Sequence, residues 1–260
     1  MLSATANTTT IRAALLVCGT PIPAVLESFG DYPTLFNALL LQGLDELKKQ
    51  GAIKEEASLN YKAFDVREDI YPENVYDWDL ILISGSASNA YDDIPWINKL
   101  TDYIKDIPRD DKAPKVAGIC FGHQIVGRAF GVQVAKNQKG WELGWTKTEL
   151  SEEGQAFWGD LSLRIQELHQ DIVTGIPEKF TVLASTQHTM NQSMISNDRR
   201  IVTLQGHPEF NGPIMKEFIK ARSASGVFSK ELAEASMSVV DYELDNVKMA
   251  ARILQFSQEK

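Results

Sequence analysis

Val116-Ala117-Gly118-Ile119-Cys120-Phe121-Gly122-His123-Gln124 opens as an apolar strand and closes as a helix. The strand spans Lys115 to Ile119, the chain turns at Cys120, and the helix continues through Ile125, Val126 and Ala129 to Gly131. Glycines two residues before and two residues after a nucleophilic side chain are what a strained strand-to-helix elbow requires. A larger residue at Gly118 or Gly122 would strike the neighbouring backbone. Such a turn holds Cys120 off the top of a sheet, presented rather than packed. A sulfur at the first turn of a helix sits in the field of unpaired N–H groups, which favours the thiolate. The Phe121 N–H points toward the same space, where it can help bind an oxyanion. A lone cysteine is otherwise most often a small core residue, and it is the glycine frame that argues for a nucleophile.

Working back from the elbow, Asp79–Ile83 is a second buried strand, and it runs into Ser84-Gly85-Ser86-Ala87-Ser88. Small residues there let backbone N–H groups approach a ligand, although the same residues also suit an ordinary turn. One helix, Ile94–Ile107, separates this strand from the elbow strand, so the two loops fall side by side at carboxyl strand ends, where open α/β sheets bind ligands. Gly85 or Ser86 is then a second oxyanion donor. Further back, Ile11–Gly19 reads as a strand buried on both faces, with Cys18 at its end as core packing. Leu35, Leu39, Leu40, Leu44 and Leu47 recur at helical spacing between Asp31, which caps, and Gly51, which stops the helix. Tyr61–Val66 alternates like a strand.

Forward of the elbow, Val132–Ala135, Gly144–Leu150 and Ile165–His169 read as shorter, more antiparallel strands, followed by Phe180–Ala184 and Ile201–Leu204. The order predicts a flavodoxin-like α/β fold: an open, mostly parallel sheet flanked by helices, with a small appended antiparallel sheet. Residues 1–10 are expected to be a disordered tail and residues 11–260 a single domain, in which the helical segment 223–260 packs on the rest.

Gln205-Gly206-His207-Pro208-Glu209 follows the Ile201–Leu204 strand directly. His207 would stand at the strand end, and Pro208 suits the first position of the helix that Ile214, Phe218 and Ile219 continue. A histidine can take the proton of a thiol, and Glu209, bending back, would fix its tautomer and steady the imidazolium. His123 lies on the first helical turn after the elbow as structural support. His169 and Asp171 end a strand together and could recognise an ammonium and a carboxylate. His188 has no assigned role. No spacing groups these histidines for a metal, and no metal or cofactor is expected.

Composition narrows the classes. A 260-residue chain with 43% hydrophobic and 23% charged residues is ordinary for a globular protein. Its net charge of -9 should repel nucleic acid and anionic membranes, so neither is expected as a partner. Two cysteines at unrelated positions suggest no disulfide scaffold, and the start of the chain has neither a basic head nor an apolar core, so the expected location is cytoplasmic.

Taken together, Gly118-Ile-Cys-Phe-Gly-His-Gln124, the Ser84-Gly-Ser loop, Gly140-Trp-Glu-Leu-Gly144, His169-Gln-Asp171 and Gln205-Gly-His-Pro-Glu209 resemble the class I, triad-type glutamine amidotransferase family. The resemblance runs from about Ile11 to Phe218. It implies a catalytic set of Cys120, His207 and Glu209, an oxyanion hole from Gly85, Ser86 and Phe121, and a substrate site containing Gln124, His169 and Asp171. The implied reaction is cleavage of a γ-glutamyl amide of a small molecule through a γ-glutamyl thioester. Many members carry Gly-Gly where this chain has Gly85-Ser86. The wording of the motifs is most similar to stand-alone γ-glutamyl peptidases and to uncharacterised plant and fungal relatives. Two alternatives stand beside that reading: a glutaminase subunit that supplies ammonia to a synthetase or other acceptor partner, and a non-catalytic binding module on the same fold.

Overall fold

The structure is a computed structural model in which residues 9–259 are described. The chain begins with β1 (Thr10–Val17), α1 (Pro23–Phe29), α2 (Tyr32–Lys49), β2 (Ser58–Asp65) and β3 (Leu80–Ile83). It continues through α3 (Pro95–Asp106), β4 (Lys115–Ile119), α4 (Phe121–Ala129), β5 (Val134–Lys136) and β6 (Glu142–Leu150). There follow α5 (Glu152–Trp158), β7 (Ser162–His169), β8 (Asp171–Val173), β9 (Phe180–Ser185), β10 (Ser193–Ser196) and β11 (Ile201–Leu204). Three helices complete it, α6 (Gly212–Ala224), α7 (Lys230–Val239) and α8 (Asn246–Ser257).

The main sheet has nine strands in the order β2-β1-β3-β4-β11-β10-β9-β6-β7. The first five are mutually parallel, and each pairing from β11 through β10, β9 and β6 to β7 is antiparallel. The fold is therefore α/β with a largely parallel centre. The antiparallel strands extend that same sheet, and the separate small sheet is only the pair β5 and β8.

Burial on both faces explains the composition of the central strands. Every residue of β3 and β4 is buried. Alternate side chains reach opposite layers. Leu15, Leu80, Leu82 and Ala117 face a core completed by Leu40, Leu44 and Leu254, while Leu16, Ile81, Ile83 and Val116 face Ile97, Leu100, Ile125 and Val126. Helices α2 and α8 thus cover one face, and α3 and α4 the other. Asp31 caps α2 by accepting the Thr34 amide at 2.9 Å. Gly43 allows α8 to approach closely, since a Cβ there would lie 2.7 Å from the backbone of Ala250 and Ala251. The start of α8 is tied to β7, where Asp245 accepts the Arg164 side chain through Nε at 2.9 Å and Nη2 at 2.6 Å.

Some expectations change. Thr10 begins β1 and the Thr9 carbonyl accepts the Ser58 amide, so the expected tail does not extend to residue 10; residues 1–8 lie outside the described residues. Pro208 does not start a helix: α6 begins at Gly212, with Asn211 accepting the Ile214 amide and Pro213 in the first turn. Helices α1 and α5 and strands β8 and β10 add to the elements read from the sequence. Among the described residues no helix is long and apolar enough to cross a membrane.

Candidate active site

The carboxyl ends of β3, β4 and β11 meet in one cleft. Cys120 follows β4 with φ 53° and ψ -102°, a region that a non-glycine residue occupies only under strain of about 1–3 kcal/mol. The two glycines explain how the turn closes. A Cβ on Gly118 would lie 2.5 Å from the Gly122 carbonyl oxygen, and one on Gly122 would lie 2.5 Å from the Ile83 carbonyl oxygen. Both obstacles are backbone, so neither can swing aside. The Cys120 amide donates to Leu204 in β11 at 2.8 Å, and its carbonyl accepts the Gln124 amide at 3.0 Å as α4 begins. The thiol is only 6% exposed, so the elbow sets it on the floor of the cleft rather than on an open surface.

His207 follows β11, its amide bonded to the Gln166 carbonyl of β7 at 2.8 Å. Its Nδ1–H donates to Glu209 Oε1 at 2.8 Å, and its ring stacks on Phe210 with centroids 4.2 Å apart and planes 8° apart. Phe210 stacks in turn against Tyr32. Nε2 of His207 has no hydrogen-bond partner among the described residues and faces the Cys120 side of the ring. Burial favours the neutral imidazole, but negative charge at Cys120 and Glu209 outweighs burial and holds the His207 pKa well above that of a free imidazole. Gly85 closes this corner, because a Cβ there would sit 3.1 Å from His207 Cε1 and 3.8 Å from Cys120 Cβ. Next to it, the Ser86 hydroxyl accepts the Ser88 amide at 3.1 Å, and among the described residues the Ser86 amide donates to no protein acceptor. Phe121 is fully buried at the head of α4, against Trp96.

The cleft holds about 220 Å³ and is lined by Cys120, Ser86, Gln124, His169 and Asp171 together with Arg222. The structure thus gathers the residues that the sequence proposed, but their polar atoms differ in what they can do. Gln124 Nε2 donates to the Asp171 carbonyl at 2.9 Å and to Gln205 Oε1 at 3.2 Å, which ties the elbow helix to the strand ends around it. His169 has both ring nitrogens turned to protein. Nε2 lies 3.3 Å from Glu142 and 3.2 Å from Glu167, and Nδ1 lies 3.1 Å from the Asp171 carbonyl. Its ring supports the cleft wall and leaves no polar atom for an ammonium or carboxylate. Asp171 is half-buried, and burial pushes its carboxyl upward against the charges of Lys136 and His169.

The Glu142–His169–Glu167 cluster was not visible as a group in the sequence. Burial disfavours the His169 cation, yet the two carboxylates raise its pKa to about 10. Glu142 also accepts Thr186 Oγ1 at 2.8 Å and Gln192 Nε2 at 2.7 Å; burial works against it, but His169 and the Thr186 and Thr189 hydroxyls hold its carboxyl below the usual range. Glu167 has His169 as its one ion-pair partner among the described residues, and burial raises its carboxyl against that cation. Its Oε1 would be 2.6 Å from a Cβ on Gly206, so the buried cluster presses on the turn that carries His207. The pairing of β6 with β7, Glu142 opposite His169, is the signal that assembles it.

The remaining histidines and Cys18 are structural. His123 is fully buried with Nδ1 2.7 Å from Thr203 Oγ1, and burial lowers its pKa to about 3. His188 Nε2 lies 3.1 Å from the Gly140 carbonyl. Burial raises the Cys18 thiol to about 12, which leaves it inert. A larger cavity of about 450 Å³ lies between the start of β1, the end of α2 and α8, lined by Ile11, Leu47, Ile53 and Leu254, and contains no nucleophile or acid–base pair.

Comparison with known proteins agrees with this geometry. The profile described as glutamine amidotransferase class-I matches residues 46–223. A glutamine amidotransferase-like protein of Schizosaccharomyces pombe is 32% identical over 248 residues, covering 95% of this chain and 98% of that protein. Gamma-glutamyl peptidase 4 of Arabidopsis thaliana is 34% identical over 190 residues, covering 70% of this chain and 74% of that protein. The crystal structure of a glutamine amidotransferase from Thermotoga maritima superposes with a TM-score of 0.69 at 18% identity, covering 96% of this chain and 99% of that one, and so shares the fold. A chain with this sheet, this elbow and these relatives belongs to the class-I glutamine amidotransferase family.

Proposed function

We propose that the chain is a cysteine hydrolase of γ-glutamyl amide bonds. The observation that carries this reading is a single imidazole, His207, with Glu209 on one ring nitrogen and the other beside the elbow thiol of Cys120. Its elevated pKa lets His207 hold the proton while Cys120 acts as a thiolate, the reactive form of a cysteine nucleophile. Cys120 attacks the γ-carbonyl carbon, and the carbonyl electron pair moves to oxygen, which the amides of Ser86 and Phe121 receive. Collapse breaks the carbon–nitrogen bond as His207 gives its proton to the leaving nitrogen, leaving a γ-glutamyl thioester. Water then loses a proton to His207 and adds to the thioester. Collapse of that second intermediate releases glutamate and restores the thiolate beside the imidazolium. Glu209 holds Nδ1 throughout, and Gln124 and Asp171 mark the end of the cleft that receives the glutamyl α-amino and α-carboxylate groups.

The similarity to a relative named for γ-glutamyl peptidase activity supports this reading. Mass spectrometry of the wild type beside Cys120→Ala, incubated with glutamine, glutathione and a glutathione S-conjugate, tests it. Cysteine-dependent loss of a γ-glutamyl group, with an adduct on Cys120, is expected. Identical products from both proteins would overturn the assignment of Cys120, and ammonia released from glutamine alone would favour an ammonia-supplying role.

A further inference from the structure

Among the described residues, every arginine but one holds a protein acceptor. Arg12, Arg67, Arg109, Arg164, Arg199, Arg200 and Arg252 each pair with a carboxylate, and Arg128 donates to the Ala90 carbonyl and to Asn98. Arg222, in the last turn of α6, makes neither an ion pair nor a side-chain hydrogen bond among the described residues. It is not a free surface cation. Its guanidinium is half-buried in the cleft, 5.5 Å from the centroid of the Trp141 ring, and Phe228 braces that ring edge-on at 5.1 Å. A half-buried charge without a counter-ion is costly, and burial lowers the Arg222 pKa accordingly. Such an arrangement is what an anion-binding position looks like when empty: the planar fork sits over an aromatic face with its donors unspent.

Its position selects which part of a substrate it meets. The other cation on the cleft is Lys136, which stands opposite Asp171 in the register of β5 and β8 and so lies at the glutamyl end. Arg222 instead lies on the cleft with Cys120 and within electrostatic range of the buried, uncharged Tyr32. Tyr32 belongs to the aromatic stack that carries His207, through Phe210. The His207 side is where the leaving nitrogen must collect its proton. A leaving group that is an amino acid carries a carboxylate one carbon from that nitrogen, whereas the leaving group of glutamine is ammonia and carries none.

We propose that Arg222, held on Trp141, binds a carboxylate of the leaving group, so that the chain prefers γ-glutamyl amino acids and peptides over glutamine and over uncharged γ-glutamyl amides. The proposal rests on the γ-glutamyl hydrolysis put forward above. It names the feature that would separate a peptidase from a glutaminase within one fold.

The test compares γ-glutamylglycine with γ-glutamylglycinamide, which differ at the leaving-group carboxylate. For the wild type, kcat/KM should favour the acid by about ten- to a hundredfold, the range that charge-assisted hydrogen bonds provide. In Arg222→Gln the ratio should fall toward one, and Arg222→Lys should restore part of it. Equal rates for acid and amide in the wild type, or an unchanged ratio in Arg222→Gln, would overturn the proposal. A second arm measures calorimetric binding of both compounds to Cys120→Ala, with and without Arg222→Gln, and needs no turnover. Preferential binding of the acid that depends on Arg222 supports the subsite even if the wild type cleaves neither compound, a result that would sink the proposed hydrolysis alone. Equal binding of acid and amide, or binding of neither, overturns the subsite.

Discussion

Strands β3 and β4 bury Leu, Ile, Val, Ala and Gly with one lysine, whereas β6 and β7, in the other half of the same sheet, bury Glu142, Gln166, Glu167 and His169. The cleft lies between these halves. On the parallel side its chemistry comes from backbone shape: a positive-φ cysteine, two glycines that admit the turn, and a histidine just past a strand end. On the antiparallel side the wall is held by a buried charge cluster, Glu142, His169 and Glu167. Reactivity and rigidity are thus assigned to different halves, and a substitution should reveal which half it sits in by what it damages.

The largest effect should come from Glu209→Gln, at the parallel strand ends. Loss of the carboxylate on Nδ1 should lower kcat/KM about 10²–10⁴-fold while urea unfolding changes far less. It should also return the alkaline limb of the pH–rate profile toward the ordinary imidazole range, because Glu209 helps hold the His207 pKa high. A stability loss that matched the activity loss would erase the distinction between the halves.

His169→Leu should do the opposite. It leaves Glu142 and Glu167 buried without their shared cation, and breaking such a buried pair costs about 3–5 kcal/mol, readable as a shifted urea midpoint. The pH dependence sharpens the point. The His169 pKa is raised in the fold to about 10, so its stabilisation is complete below its ordinary value of 6.5 and disappears as pH rises through about 10. Glu142 is lowered, so its contribution is present above the ordinary carboxylate value of 4.5 and disappears as pH falls below it. The variant should lose the alkaline decline that the wild type shows. A wild-type stability that stays flat between pH 7 and 10 would mean that His169 is not held charged.

Gly122→Ala should cost less stability than His169→Leu, about 1–3 kcal/mol from overpacking against the Ile83 carbonyl. It should also displace the thiol, so adduct formation at Cys120 should slow more than the change in stability would suggest. An active Gly122→Ala protein of unchanged stability would show that the elbow is looser than its geometry.

The same division governs what the sequence could disclose. The elbow was readable because its signal is local: glycines at fixed offsets around Cys120, a strand before and a helix after. His207 and Glu209 were readable for the same reason, lying within one short segment. The parallel strands announced themselves as runs such as Leu80–Ile83. By contrast β10 (Ser193–Ser196) starts and ends with buried serines and shows no apolar alternation, the Ser196 hydroxyl donating to Asp198 and accepting the amides of Arg200 and Ile201. His169 was read with its neighbour Asp171, but its charged partners are Glu142, on the paired strand, and Glu167. Arg222 and Trp141 lie far apart in the chain and meet only through the placement of α6. Pro208 was mistaken for a helix start because Pro213 and the Asn211 cap, a few residues later, carry the same signals.

The close approach at Gly43 bears on the order in which the chain can fold. Helices α2 and α8 meet backbone to backbone although they stand on the order of 200 residues apart in the chain, a separation whose closure entropy makes such contacts slow to form. As the chain emerges from a ribosome amino end first, Leu40, Leu44 and Leu47 on α2 wait without Leu254 and its neighbours to cover them. The strand that leads into Cys120, β4, shares that face, for Ala117 and Ile119 belong to the same core. A nascent chain therefore holds an unfinished core around Cys120 until α8 has been made, and the fold itself delays the moment at which the elbow is fully supported.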